Sequence, residues 1–499
     1  MALIDTHRAR LFPALAVLLA AGGCTSEKTT YPAVGAIDGS EDEVVFQPGQ
    51  VLSYRVRITQ ENLDWIEEHG IDEEWKPASL VVTGLEGGPL DLGQVGFRHK
   101  GGVGTLTGCW SDPTVPDDPS TPDVDEALLS RVRTYADYCA RISYKFKFDK
   151  YVKGNKLHGL KKLNMHATMR DPTKLHDMLA YGLFYDFGVD ASRTAPARLT
   201  IDVVDDAGQV LSSKFMGLFI AVEDVDDRYA KYHYVDADQG NLFKETWPNP
   251  AIAATWGEQA FVDGLTAQLE TNTDAPDVSD FLAFTAAVAG ATPDGFAEAM
   301  DPWFDMETIL RYMAVDRAIG NWDGITAMYC WNEDCSLFGP HNMYWYHDTG
   351  AEGRFHLVPW DMDNTFQDFE PYLHPLYDWM AEKPVPGWNV KPASCAPIRV
   401  WEASHVAPPG CDRFLNLIAS TQWARYDAIG RELIAGPLRA DVLVRKAKTW
   451  TTLIEPILRE DPFVDFESWH AEKERLVNEI LPQAAARLAD VLDEGYREE

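Results

Sequence analysis

The chain has 499 residues, of which 45% are hydrophobic and 24% are charged, and this balance is typical of a folded protein rather than a disordered one. Its 44 Lys and Arg residues are outnumbered by 78 Asp and Glu residues, so the formal charge at pH 7 is −34. Proteins that bind nucleic acids draw most of their affinity from Lys and Arg beside phosphates, so this charge argues against nucleic acid as a partner. The length allows about three domains, or one large domain with insertions.

The N-terminus predicts export. Residues 1–23 combine a weakly basic start with the apolar run Leu11 to Ala21, which is too short for a permanent membrane span of about 20 residues. The small residues before Cys24 resemble the lipidation site of a bacterial lipoprotein. We therefore predict a lipoprotein signal peptide over 1–23, lipid on Cys24, and a tether over 24–45. The protein would then be anchored to the cell envelope, at the outer membrane or the cell surface; a plain signal peptide is the alternative.

The six remaining cysteines also suit an exported chain. An even number of cysteines in such a chain favours disulfides, and we predict the pairs Cys109–Cys139, Cys330–Cys335 and Cys395–Cys411 because each brackets a short loop-like segment. A zinc site is the competing interpretation, but the sequence contains neither a CxxC nor an HExxH motif.

Periodicity along the chain predicts strands first and helices later. The Pro- and Asp-rich residues 111–126 indicate an exposed loop, and Asp171-Pro172 and Asp301-Pro302 each indicate a helix start. From about residue 412 the chain is predicted to be helical, ending with a helix over 469–494. This arrangement in blocks is typical of the α+β class. Strands are predicted over 51–58, 80–82, 95–98, 143–148, 198–204, 217–223, 241–244, 343–346 and 355–360.

Two acidic residues follow a strongly apolar predicted strand. Asp361 and Asp363 come directly after His356–Trp360 and lie on the same side of the chain if it stays extended. Mg²⁺ prefers oxygen ligands and usually takes one or two carboxylates together with substrate phosphates. The pair therefore indicates a metal site, with a helix cap as the alternative.

Asp323 and Asn342 precede that pair in the chain. Asp323 lies in the segment Asn-Trp-Asp-Gly, which follows an apolar predicted helix. Phosphoryl transfer requires one group that orients the acceptor hydroxyl and others that hold metal on the phosphates, and an Asp, an Asn and a second Asp supply those groups. The same segment is also an ordinary turn sequence, so a structural role stays open.

Cations are available for phosphate oxygens. Lys145 and Lys147 share one face of a predicted strand, and Glu223, at the end of another, is the predicted ion-pair partner. Arg98 and Lys100 precede the glycine cluster 101–104, whose backbone N–H groups are suited to an anion. Strand lysines that are simply solvated are the alternative.

Together these segments resemble the CotH kinase family, named after a bacterial spore coat protein. The resemblance implies an atypical protein-kinase-like bilobal fold, with a core over 46–411, insertions at 111–126 and 330–340, and a helical C-terminal part over 412–499. The matching segments, in the family's order, are Arg98–Gly101, Ser143–Phe148, Leu163-Asn164, Asp171-Pro172, Gly217–Glu223, Gly240–Lys244, Asn321–Gly324, Asn342–Tyr346 and Pro359–Asp363.

The resemblance also implies that ATP binds with Mg²⁺ or Mn²⁺ and that its γ-phosphate passes to Ser or Thr of a protein substrate. It places Asp323 as catalytic base and Asp361 with Asn342 at the metal, next to Asp363. The residues it assigns to the nucleotide are Arg98, Lys145, Lys147, Glu223 and Lys244. Arg141 stands where the family has Lys, and Lys100 stands where it has Arg. An arginine can still bind phosphate, so the first difference is compatible with nucleotide binding.

A non-catalytic surface, coat or adhesion protein with the same fold is the alternative function, because an exported compartment holds little ATP. The complete set of Asp323, Asn342 and Asp361 favours the kinase. A metal-dependent hydrolase would need His341, His347 or His356 as ligands, and their spacing fits no metal motif.

Overall fold

The computed structural model describes residues 41–47, 49–101, 141–234, 240–332, 334–348, 353–367, 381–400 and 404–499. The predicted signal peptide, Cys24, most of the tether, the 111–126 loop and the pair Cys109–Cys139 lie outside these residues. Among the described helices, none is both long enough and apolar enough to cross a membrane.

The first half of the described chain forms a closed seven-stranded barrel. Around the barrel the strands follow the order β1-β2-β3-β4-β5-β7-β6, and all neighbours are antiparallel except the parallel pair β1 and β6. The strands and the helices between them are β1 (Leu52–Thr59), α1 (Gln60–Glu68), β2 (Lys76–Thr83), β3 (Leu90–His99), β4 (Tyr144–Lys147), β5 (Lys162–His166), α2 (His176–Asp186), β6 (Thr194–Val204) and β7 (Val210–Val222).

Alternation of apolar and polar residues sets the inner face of the barrel. In β4, Tyr144 and Phe146 are buried in the barrel core, whereas Lys145 and Lys147 lie on the other face. Successive side chains of a strand point to opposite faces, so this strand buries its aromatic rings only if both lysines point outward. The predicted orientation of this strand is therefore confirmed.

The second half combines helices with small sheets. Strands β8, β11 and β12 form one antiparallel sheet, and β10, β9, β15 and β14 form another. The elements are α3 (Asp227–His233), β8 (Asn241–Lys244), α4 (Pro250–Trp256), α5 (Glu258–Ala267), α6 (Ser279–Gly290), α7 (Phe296–Met300), α8 (Met306–Ala318), β9 (Met328–Cys330), β10 (Phe338–Gly339), β11 (Met343–His347), β12 (Phe355–Pro359), β13 (Val390–Lys391), β14 (Ile398–Val400), β15 (Ser404–Ala407), α9 (Arg413–Ala435), α10 (Ala440–Leu458), α11 (Phe466–Arg475), α12 (Leu481–Glu494) and β16 (Arg497–Glu498).

The barrel and the helical half have separate hydrophobic cores. One cluster of buried apolar side chains fills the barrel, and a larger one joins α2, the small sheets and the C-terminal helices. The fold is α+β with a helical C-terminal part, as predicted, and it is consistent with a kinase-like fold.

Both predicted helix starts were placed too early. The helix after Asp171-Pro172 begins at His176, and Asp171 instead accepts the backbone N–H groups of Thr173 and His176, each at 2.7 Å. The helix after Asp301-Pro302 begins at Met306 and is capped by Asp305. An Asp-Pro pair is equally compatible with a turn that precedes a helix, and here that turn forms in both places.

Two further boundaries differ from prediction. The predicted helix over 469–494 is interrupted by a π-helical turn at Leu476–Ile480. Residues Glu41–Val45, the last of the predicted tether, form a 3₁₀ helix whose Asp42 is buried against Arg193 and Arg228. The described fold therefore includes the end of the predicted tether.

Two predicted disulfides are confirmed. Cys330 is bonded to Cys335, and Cys395 is bonded to Cys411. The first closes the hairpin between β9 and β10, within the predicted insertion at 330–340.

A buried ion pair joins the barrel to the C-terminal helices. Arg141 Nη1 lies 2.6 Å from Asp461 Oδ2, and both side chains are completely buried. Arg141 also donates to the carbonyl oxygens of Met216 and Ala167, while Asp461 accepts the N–H of Leu218 at 2.8 Å. The Arg141 guanidinium is thus engaged by Asp461 and by two backbone carbonyl oxygens, and Arg141 also lines the cleft at the end of the barrel.

The glycine at the centre of this contact predicts a large stability effect. Gly217 has φ +88°, and a Cβ there would lie 2.1 Å from Asp461 Oδ2. Gly208 also has positive φ (+80°), but its Cβ would meet nothing within 4 Å. Gly208→Ala should therefore cost only the backbone penalty of about 1 kcal/mol, whereas Gly217→Ala should cost at least about 2 kcal/mol more because it displaces Asp461 from Arg141. Urea unfolding of both variants tests this, and equal losses would contradict it.

Candidate active site

A cleft runs between the end of the barrel and the turn that follows β12. Three segments line it: the ends of β3 and β4, the chain after β5 with the start of α2, and the turn after β12. The lining residues are Lys100, Gly101, Arg141, Ile142, Ser143, His166, Ala167, Thr168, Met169, Arg170, Asp177, Asp361 and Asp363.

Asp361 and Asp363 both reach this cleft, but not through an extended chain. Asp361 has φ +56° and ψ +73°, in the left-handed region, and residues Met362–Asn364 form a 3₁₀ helix. The chain therefore does not stay extended after β12, which was the condition for the two carboxylates to lie on the same side. A left-handed residue other than glycine costs roughly 1–2 kcal/mol, and Tyr181 holds this one by accepting the Asp361 N–H at 2.9 Å. Strained residues of this kind concentrate at functional sites.

The two carboxyl groups have opposite electrostatic environments. Burial raises the pKa of Asp361, but Lys100, His166, Lys244 and Arg170 outweigh burial and bring the pKa below its ordinary value.

The neighbouring carboxyl group is shifted the other way. Burial, together with the charges of Asp361 and Asp177, raises the pKa of Asp363 well above its ordinary value. A divalent cation would relieve this crowding of negative charge, and paired carboxylates are suitable ligands for Mg²⁺ and Mn²⁺.

Asp361 and Asp363 therefore fit a metal ion whose other ligands do not come from carboxylates or histidines of the described residues. Within the described ranges, no three or more His, Cys, Asp or Glu side chains are grouped so that they could hold a metal ion. A metal at Asp361 and Asp363 would take its remaining ligands from water or from substrate phosphates, as Mg²⁺ commonly does.

Three neutral donors orient Asp323. Tyr329 donates its hydroxyl to Oδ1 at 2.8 Å, and the amides of Asn342 and Asn364 donate to Oδ2 at 2.9 and 3.3 Å. Burial raises the pKa of Asp323, although His341 and Tyr329 oppose this. A fixed carboxylate with a raised pKa is suited to accept a proton from a hydroxyl group.

The turn that carries Asp323 is held by a buried hydrogen bond and by close packing. Asn321 donates to Asp316 Oδ1 at 2.8 Å, and burial raises the pKa of Asp316 to about 7. Gly324 leaves no room for a side chain, since a Cβ would lie 2.4 Å from Asn321 Nδ2.

The side-chain amide of Asn342 lies against Asp323, while its backbone carbonyl accepts the N–H of Trp360, the residue before Asp361. Its amide nitrogen donates to both the carboxylate and the backbone oxygen of Asp323. Its backbone, with φ +57°, is also in the left-handed region, which Asn tolerates better than most residues. Asn342 thus positions the predicted base, and only its amide oxygen would serve the predicted metal role.

Lys145 has a different partner from the one predicted. Its Nζ lies 2.5 Å from Asp224 Oδ1, and Lys162 and Asn164 contact the same carboxylate at 3.2 and 2.9 Å. Burial raises the pKa of Asp224, but the two lysines hold it well below its ordinary value.

Glu223 is therefore not the ion-pair partner of Lys145. It is paired with Arg193, through Nη2 and through Nε at 3.0 Å, and with His233 at 3.2 Å. Neighbouring residues at a strand end point to opposite faces, so the carboxylate that meets Lys145 is Asp224, one position further on.

Three predicted nucleotide residues share one region around Glu73. Arg98 Nη1 lies 2.9 Å from Glu73 Oε1. Burial raises the pKa of Glu73, but Arg98, Lys244 and Lys145 together lower it, and Lys244 also acts on Asp361. The structure thus brings Arg98, Lys145 and Lys244 together around Glu73, and Lys244 connects this group to Asp361.

Lys147 lies further from the cleft. It shares the outer face of β4 with Lys145, but its register partner in β5 is Lys162, whereas Lys145 is opposite Asn164. His166, at the other end of β5, lines the cleft. Lys147 therefore lies two residues further along β4 from the cleft than Lys145 does.

Several residues of the site were given no role from the sequence. In β5, Lys162, Asn164 and His166 alternate with Leu163 and Met165, and this was a usable signal for a polar face. Nothing local in the sequence marks the other residues, which are Arg170, Asp177, Tyr329 and Asn364.

Comparison with known proteins identifies the family of this chain. Residues 134–486, most of the chain, match the family model described as CotH kinase protein. The chain belongs to the CotH kinase family. This confirms the resemblance, and membership indicates a kinase-like protein that uses a nucleotide and a metal in general terms. A search of curated proteins finds no match. Strands β1–β3 precede the matched region, although they complete the same barrel as β4–β7.

Proposed function

We propose that this CotH kinase family member is an exported protein kinase that transfers the γ-phosphate of ATP to Ser or Thr of protein substrates, with Mg²⁺ or Mn²⁺. One observation carries the proposal. Asn364 directly follows Asp363 and donates its amide to Asp323, so a single short turn fixes both the predicted base and the metal carboxylates. A protein used only for assembly has no need of this arrangement.

The residues take the following roles. Asp361 and Asp363 hold the metal, which when bound neutralises charge on the phosphates. Lys100 and Arg170 add positive charge along the cleft. Asp323 orients the acceptor hydroxyl and accepts its proton.

The barrel supplies the other cations for the nucleotide. Arg98 and Lys244 lie near Glu73, Lys244 also acts on Asp361, and Lys145 is half-buried in an ion pair with Asp224. A strand lysine paired with an acidic residue is also a feature of protein kinases, in which the lysine contacts nucleotide phosphates. Lys162 shares Asp224 and supports this arrangement.

Metal-dependent nucleotide binding separates the kinase from a non-catalytic coat or adhesion protein. ATP titrated into the mature chain should bind with Mg²⁺ or Mn²⁺, and affinity should fall sharply after EDTA treatment, because Asp361 and Asp363 retain the phosphates through the metal. The absence of any ATP binding with either metal would favour the coat or adhesion function.

Anchoring at Cys24 is part of the same proposal and places the substrates among envelope, surface or coat proteins. Mass spectrometry of the mature N-terminus should show Cys24 as the first residue, carrying lipid. Cys24→Ser should release the protein from the membrane fraction, whereas Cys395→Ser, which alters a disulfide of the fold, should leave it there. Cleavage elsewhere, or an unmodified Cys24, would contradict this prediction.

A further inference from the structure

His166 and Asp177 form a buried pair on the wall of the cleft. His166 ends β5, Asp177 lies in the first turn of α2, and His166 Nδ1 is 2.9 Å from Asp177 Oδ2. Only 4% of His166 and 2% of Asp177 is exposed. A carboxylate that accepts the Nδ1–H of a histidine fixes the ring and directs its second nitrogen to one place.

The second ring nitrogen of His166 lacks a hydrogen-bond partner within the described part of the chain. Among the described residues, His166 Nε2 is buried and has no hydrogen-bond partner, although His166 lines the cleft together with Asp361, Asp363 and Arg170. The ring is held further by an edge-on contact with Trp360, with centroids 5.9 Å apart. Buried polar atoms in native proteins are nearly always hydrogen-bonded, so an unsatisfied one beside a cleft indicates a ligand.

The charges around the cleft favour an anion over a metal as the ligand of His166. His166 does not join Asp361 and Asp363 in a three-residue metal group, since none exists among the residues described. Lys100 and Arg170 line the same cleft, and cations together with a histidine ring N–H are suited to phosphate oxygens.

Position along the cleft indicates which phosphate is bound. His166 and Arg170 line the cleft together with Asp361 and Asp363, and the charge of Arg170 also acts on Asp323, which Asn364 contacts. Lys145 and Lys244 are not among the residues that line the cleft. We infer that His166, oriented by Asp177, binds the terminal phosphate of the nucleoside triphosphate through Nε2–H. This inference rests on the proposed kinase function; Asp177 is a positioning residue.

The experiment compares affinities for ATP and ADP, both with Mn²⁺. A charge-assisted hydrogen bond to the terminal phosphate predicts that His166→Gln weakens ATP binding by roughly 10–100-fold and leaves ADP binding unchanged. Asp177→Asn should also lower the ratio of ATP to ADP affinity, but by a smaller factor than His166→Gln does. If His166→Gln proves unfolded by circular dichroism, Asp177→Asn decides the question.

The matched control is His347, which also pairs with a carboxylate, at 2.8 Å from Asp280, but does not line the cleft. His347→Gln should leave the ratio of ATP to ADP affinity at the wild-type value. Equal loss of ATP and ADP affinity in the His166 and Asp177 variants, or loss of Mn²⁺ binding without nucleotide, would overturn the inference while the kinase function stands. Failure of the unmutated protein to bind any nucleotide would overturn both.

Discussion

Asp361→Asn is expected to abolish metal-dependent ATP binding, whereas Asp323→Asn should preserve binding and remove phosphoryl transfer. Asp361 reaches the cleft and is kept ionised by the cations around it, so its loss removes the metal that retains the phosphates. Because a bound metal supplies several kcal/mol of charge stabilisation, ATP affinity should fall by roughly 100-fold or more.

In the proposed function, Asp323 acts on the acceptor and not on the nucleotide. Its carboxylate is held by Tyr329, Asn342 and Asn364, which leaves it fixed for a hydroxyl group. Turnover in Asp323→Asn should fall roughly 10²–10⁴-fold, the range for positioned acid–base groups, with ATP affinity unchanged.

The control for both variants is Asp206→Asn, since Asp206 is exposed in the turn between β6 and β7. ATP affinity is measured by titration with Mg²⁺ and Mn²⁺, and turnover by transfer to an acceptor protein. Wild-type affinity and turnover in both site variants would refute the assignment of these two aspartates.

Arg141→Met should destabilise the protein more than any exposed ion-pair substitution. The pair it forms with Asp461 is completely buried and joins the barrel to the C-terminal helices. Removing one member of a buried pair leaves the other charge uncompensated, at a cost of about 3–5 kcal/mol in the free energy of unfolding.

An exposed ion pair next to it provides a matched control. Arg198 Nη2 lies 2.6 Å from Glu460 Oε2, and 31% and 62% of the two side chains are exposed. Arg198→Met should therefore cost no more than about 1 kcal/mol. Urea unfolding measures both changes, and similar losses in the two variants would show that the buried pair does not hold the halves together.

Strands and local disulfides were predictable because their signals are local. The alternation in β4 shows which side chains are buried, and β8, β11 and β12 were all located within a residue or two. Cys330–Cys335 and Cys395–Cys411 were predictable because short loops bring neighbouring cysteines together.

The details of the site were not predictable because they depend on where each element ends. A difference of one position decided that Asp224, and not Glu223, meets Lys145. Asp361 leaves the extended conformation immediately after β12, so the spacing of the two aspartates did not reveal their geometry. His166 and Asp177 meet only because β5 ends beside the start of α2, a tertiary contact without a local signature.

Transfer of label from [γ-³²P]ATP tests the kinase function most directly. The mature, lipid-free chain is incubated with Mg²⁺ or Mn²⁺ and a Ser- and Thr-containing acceptor protein, with Asp323→Asn in parallel. The proposed kinase function predicts metal-dependent label on Ser or Thr of the acceptor, lost in the variant and after EDTA. Label that is absent with the unmutated chain under both metals, or equal in the Asp323→Asn variant, would contradict it.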